Sequence, residues 1–127
     1  MAMTRLDAVL AQIDERSDAA LDRIDRTAQF ARESEQLRVE GESSDRVVTV
    51  VVDGVGQMVD IRFGRDLDRS TAQQLSASVL EAHAQAKRRL SFEVERLGKQ
   101  ICGDDSPTVQ LVSGSYRDRF GYEEDEK

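Results

Sequence analysis

Val47-Val-Thr-Val-Val-Val-Asp-Gly54 stands out first, because all six residues before the aspartate are β-branched. Branching at Cβ costs little on a pleated surface and crowds a helix, so the run reads as a strand. Asp53-Gly54 is a reversal signal, and Gly56 supplies a second permissive position, so a hairpin follows. Downstream, Met58-Val-Asp-Ile-Arg-Phe63 alternates apolar and polar residues. Upstream, Leu37-Arg-Val-Glu-Gly-Glu-Ser43 alternates in the same way. Three short strands with short connections predict an antiparallel meander.

The alternation assigns faces. One face would carry Leu37 and Val39, then Val48, Val50 and Val52, then Val59, Ile61 and Phe63. It needs cover from helices. The other would carry Arg38, Glu40, Glu42, Asp60 and Arg62 around a centre of Val47, Val51 and Met58. Strands apolar on both sides are usually covered on both sides. A chain of 127 residues has little left for the second face. A second copy is therefore expected, with Val47, Val51 and Met58 at a homodimer interface.

Long helical patterns flank the strands. Over residues 4–36, Leu6, Leu10, Ile13, Ala20, Ile24 and Ala31 recur at three-, four- and seven-residue steps, with no Gly or Pro. Thr4 is placed to cap this helix, with Asp7 three residues on. Over residues 70–101, Ala72, Leu75, Val79, Ala82, Ala86, Leu90, Val94, Leu97 and Ile101 form a second stripe. Ser70 is the expected cap, and Gly103 before Asp104-Asp-Ser-Pro107 the expected stop. Helices of this length span about 48 Å, against about 20 Å for the strands. The surplus should project. Residues 4–20 and 85–101 are expected to pair as a two-helix arm, Leu6, Leu10 and Ile13 against Leu90, Val94, Leu97 and Ile101. The fold class is α+β, with a three-stranded antiparallel meander between two long helices. Residues 1–102 are expected to form the domain, and 103–127 an acidic, largely mobile tail.

Composition removes several chemistries. One His and one Cys cannot build a Cys/His zinc cluster or an internal disulfide. No apolar run reaches membrane-spanning length, and the N-terminus lacks the apolar core of a secretory signal. His83 reads as a helix-edge or interface residue, Cys102 as a small residue closing the second helix. Gly54-Val-Gly56 follows a strand but opens no helix, so it reads as a hairpin and not a phosphate loop. No nucleophile–base pair is evident. The expectation is a non-enzymatic, intracellular protein with no metal, no cofactor and no small-molecule substrate.

Charge is uneven. The whole chain is −7, and 34% of its residues are charged. Residues 85–101 hold five bases against two acids, whereas residues 103–127 hold seven acids against three bases. Lys87, Arg88, Arg89, Arg96 and Lys99 are therefore the candidate contacts to nucleic-acid phosphates. Nothing offers a base-reading motif.

The segment Val39-Glu-Gly-Glu-Ser43, followed by Val48-Thr-Val-Val-Val-Asp-Gly54 and set between two long helices, resembles the YbaB/EbfC family of bacterial nucleoid-associated DNA-binding proteins. The resemblance implies an α-β-β-β-α protomer, an intertwined, tweezer-like homodimer and largely sequence-tolerant binding of duplex DNA in the nucleoid. The chain departs from the family pattern at the first hairpin loop, Ser43-Ser-Asp-Arg46, where a Gly-rich turn is usual. It also departs at Thr49, where Lys is common, and in its acidic C-terminal part. The alternative expectation is a dimeric protein-interaction or chaperone-like module that binds no DNA. A link to type VII secretion would rest on Tyr122-Glu-Glu-Asp-Glu126, which fits the short Tyr-x-x-x-Asp/Glu pattern of such substrates.

Overall fold

The computed structural model describes residues 4–124. Helix α1 (Arg5–Glu35) leads into strands β1 (Val39–Glu42), β2 (Val48–Val52) and β3 (Met58–Phe63). A 3₁₀ turn (Arg65–Arg69) connects to helix α2 (Ala72–Cys102), and helix α3 (Pro107–Phe120) follows. The strands form an antiparallel sheet in the order β1-β2-β3, so the predicted α+β meander is present. Val39 faces Val52 across the first pair and Val50 faces Ile61 across the second. The register shifts between Val51 and Val52, which bulges β3 at Val59.

The helix starts follow from side-chain capping. Thr4 accepts the Asp7 N–H at 3.2 Å, and the Asp7 carboxylate accepts the Thr4 N–H at 3.4 Å. This reciprocal box holds two donors that the first turn would leave unpaired. Helix α2 uses the same device one residue later than the sequence predicts. Thr71, not Ser70, accepts the Gln74 N–H at 3.1 Å, and Gln74 Oε1 accepts the Thr71 N–H at 3.0 Å. Gln74, three residues after Thr71, completes the box. Gly103, at φ +91°, ends α2 as expected.

Helix α2 lies across β1 and β2. The closest approach is at Gly41, where a Cβ would overlap the backbone of Ala82 and Ala86. Glycine on the strand and two alanines on the helix thus let backbones touch. Val48, Val50, Val52, Leu90 and Val94 are fully buried between the layers. Here the predicted inner face holds for β1 and β2. On β3 it holds only at Ile61, which packs against the core, while Val59 and Phe63 stay about half exposed. One helix is about 10 Å wide, so it roofs two strands at their 4.8 Å spacing and leaves most of the third uncovered.

The predicted two-helix arm does not form. Among the described residues, helix α1 meets its own chain only near its C-terminal end: Phe30 packs at Gly98, Ser34 at Gly54, and the Arg26 carbonyl lies 3.8 Å from Cys102 Sγ. Residues 4–29 are exposed throughout. The physical reason is the face used. At 100° per residue, Phe30 lies roughly 120° around α1 from the line through Leu6, Ile13 and Ile24. On α2, Leu90 and Val94 are already committed to the sheet. The arm is therefore a single helix that carries a bare apolar seam.

The expected tail is also different. Residues Pro107–Phe120 form a helix that packs on α2. Ser106 accepts the Val109 N–H at 3.4 Å, and Pro107 occupies the first turn, where its missing N–H costs nothing. Val109 is buried against Phe30 and Gly98 in the main core. Val109, Val112, Tyr116 and Phe120 recur at helical spacing and dock on that core.

Candidate nucleic-acid interface

Ala86 and Leu90 point into the core, and Lys87, Arg88 and Arg89 sit between them on α2. Each of the three meets the C-terminal segment of its own chain. Lys87 Nζ lies 5.9 Å from the centre of the Phe120 ring. The Arg88 methylenes lie beside Gly121, and the Arg88 carbonyl accepts the Glu123 N–H at 3.1 Å. Arg89 donates to the Glu40 carbonyl of β1 at 3.2 Å, and its Nε lies 3.9 Å from the Glu123 carboxylate. The other two predicted bases sit further along α2. Arg96 pairs with Glu93 at 3.1 Å and Lys99 with Glu95 at 3.0 Å. At 100° per residue Lys87 and Arg89 lie on opposite flanks of α2, with Arg88, Lys99 and Arg96 between them on the side away from the core, and every member has an intrachain neighbour.

Glu95 is the hub of the second group. It also accepts Arg117 of α3 at 2.6 Å. The Arg117 hydrogen bond holds its carboxyl below the usual range, more strongly than partial burial pushes it up. The same ion pairing raises Lys99 and Arg117. Tyr122 completes the cover: Arg117 stacks on its ring at 3.7 Å, and Phe92 meets its edge at 6.0 Å. Burial raises the Tyr122 hydroxyl. Sequence reading did not find this role for Arg117, Phe120, Tyr122 and Glu123. The usable signals were the Ser106-Pro107 helix start and the aromatic spacing that follows it.

A second set of bases lies on the projecting helix. Arg5, Arg16 and Arg23 fall within about 20° of one line along α1, whereas Asp7, Asp14, Asp18 and Asp25 fall near the opposite line. The arm is slightly acidic in sum but strongly two-sided. Its apolar seam lies between the two edges, with Leu6 67% and Ile13 52% exposed.

The residues assigned to a dimer interface fall into different surroundings. Val47 belongs to the core cluster of its own chain. Val51 is 6% exposed, beside a clasp in which Arg62 reaches Asp60 on its own strand at 3.2 Å and Glu40 two strands away at 3.0 Å. Met58 is 39% exposed and opens the uncovered strand β3.

The remaining candidate residues have structural partners. His83 Nε2 lies 3.3 Å from the Gly56 carbonyl, at the edge of α2. Cys102 ends α2. Gly54 and Gly56 form the β2–β3 turn, where Asp53 accepts the Val55 and Gln57 N–H groups at 3.0 Å each. Among the described residues, no helix is long and apolar enough to cross a membrane. The Tyr122–Glu126 pattern ends at a residue outside the described ones. A search of curated proteins found no match to the chain. The sequence profile of the YbaB/EbfC DNA-binding family matches residues 7–104, from the first turn of the arm to just past the end of α2, and the chain belongs to that family.

Proposed function

We propose that this protein is a non-enzymatic, nucleoid-associated, cytoplasmic homodimer that grips duplex DNA through phosphates and reads little sequence. The family match over residues 7–104 carries this reading. Residues 1–102 supply the DNA-binding body, and 103–127, nearly all beyond the family match, pack helix α3 onto its core. Dimerisation has a physical motive. A single helix with Leu6, Leu10, Ile13, Leu21 and Ile24 bare along one side leaves an apolar strip in water, and strips of that size mark interaction sites. Met58, Val59 and Phe63 on the uncovered strand are the matching surface on the body. Val47 and Val51 would support that surface from beneath. Phosphate contacts come from Lys87, Arg88, Arg89, Arg96 and Lys99, joined by the arginine edge of the arm.

The pairing of Arg89, Arg96 and Lys99 with carboxylates of the chain itself, together with a net charge of −7, favours a second reading. In it the seam serves a protein-interaction or chaperone-like dimer without DNA. A salt series separates the two. The first reading predicts binding to a random-sequence duplex that weakens steeply with salt, and loss of that binding on the combined change Lys87→Glu, Arg88→Glu and Arg89→Glu. No duplex binding at about 50 mM salt would decide for the second.

A further inference from the structure

We propose that the segment Phe120–Glu124 is a built-in competitor for the duplex, covering Lys87, Arg88 and Arg89 in the free protein and leaving when phosphates take its place. This rests on the DNA-binding reading and adds its regulation. Four observations meet here. The cover lies on the one run of three consecutive bases in the chain. It is held at several points: the Glu123 N–H on the Arg88 carbonyl, Gly121 on the Arg88 stem, Phe120 under Lys87, and Tyr122 between Arg117 and Phe92.

The ionic contact within it is incomplete. Arg89 Nε and a Glu123 carboxylate oxygen are both buried at 3.9 Å from each other, and neither has a hydrogen-bond partner among the described residues. An oxygen anion that came closer would satisfy the guanidinium better, and a phosphate offers such oxygens. Finally, the segment lies beyond residue 104, where the family match ends. The cover thus lies outside the part of the chain that the family match spans.

The contrast with Arg96 is direct. Its side chain is 68% exposed, whereas that of Arg89 is 28% exposed. A duplex approaching α2 meets Arg96 at once and reaches Arg89 only after the cover moves. Glu123 acts in this scheme as a stand-in for a phosphate, and Tyr122 as the latch that holds it over the stripe.

The test uses the full-length chain with Tyr122→Ala and Glu123→Gln combined. Binding to a random-sequence duplex is measured from about 50 to 200 mM salt. The variant should bind about tenfold tighter at the lowest salt, and its salt slope should steepen by about 0.9 for each additional phosphate neutralised. Adding Lys87→Glu, Arg88→Glu and Arg89→Glu should remove the tighter binding. Asp105→Asn, which removes an acid elsewhere, should leave affinity unchanged. Amide exchange at residues 121–124 of the wild type should quicken when duplex is added.

Equal affinity and slope for variant and wild type would overturn the competitor while leaving DNA binding intact. Tighter binding that survives the three charge reversals would also overturn it. So would exchange that duplex leaves unchanged. Absence of duplex binding in every form would instead overturn the DNA reading itself, and the competitor with it.

Discussion

Arg46 adopts φ +60°, a left-handed conformation that side chains with a Cβ rarely take. The loop around it, Ser43-Ser-Asp-Arg46, turns without a glycine, and the reason it can do so is Asp45. One carboxylate oxygen accepts Ser43 Oγ at 2.6 Å and the Val47 N–H at 3.1 Å. The other accepts Ser78 Oγ of α2 at 2.6 Å. Side-chain hydrogen bonds thus fix the turn that glycine would otherwise permit, and they tie the hairpin to the helix that covers it. The same bonds, from Ser43 foremost and then Ser78, lower the Asp45 pKa. A carboxyl lowered in the folded state contributes stability above its unfolded pKa and loses it as pH falls through the folded value. Asp45→Asn should therefore be less stable than wild type at neutral pH, with the gap closing below about pH 4. Urea unfolding at both pH values checks this, and a gap independent of pH would reject it.

At the scale of elements, strands were the most legible part of the chain. The β-branched run and the Asp53-Gly54 turn have local causes, so β2, its hairpin and the alternation of β1 and β3 follow from the residues themselves. Helix positions were legible for the same reason. Helix partners were not, because periodicity shows that a stripe will be buried without showing by what. On α2 the stripe meets the sheet; on α1 a different residue, Phe30, makes the docking contact. Helix α3 is hidden in the sequence by the net charge and the punctuation of residues 103–127. The Ser106-Pro107 start and the spacing of Val109, Val112, Tyr116 and Phe120 outweigh both. Val109 is 2% exposed and fills the space between Gly98 and Phe30. Val109→Ala should cost about 2 kcal/mol, the usual order for removing buried methyl groups. A change under about 0.5 kcal/mol in chemical denaturation would mean that α3 does not share the core.

Across the whole molecule, the sheet is roofed by a single helix over two of its three strands, and the first helix stands away from the body with its seam bare. The candidate DNA surface was legible as a stripe of bases on α2. The pairing of Arg96 with Glu93 and of Lys99 with Glu95 was legible too, since each pair lies one helical turn apart on α2; the approach of Arg117 and Glu123 was not, because it arises only when the C-terminal segment packs on α2. The bare seam and the uncovered β3 leave apolar surface exposed on the single chain, which is the surface the proposed dimer covers. Sedimentation equilibrium at micromolar concentration measures this directly. The account predicts a particle of twice the 14.2 kDa chain mass, dissociating to single folded chains when Leu10 and Ile13 are both changed to Asp. A wild-type protein that sediments as a single chain would contradict it.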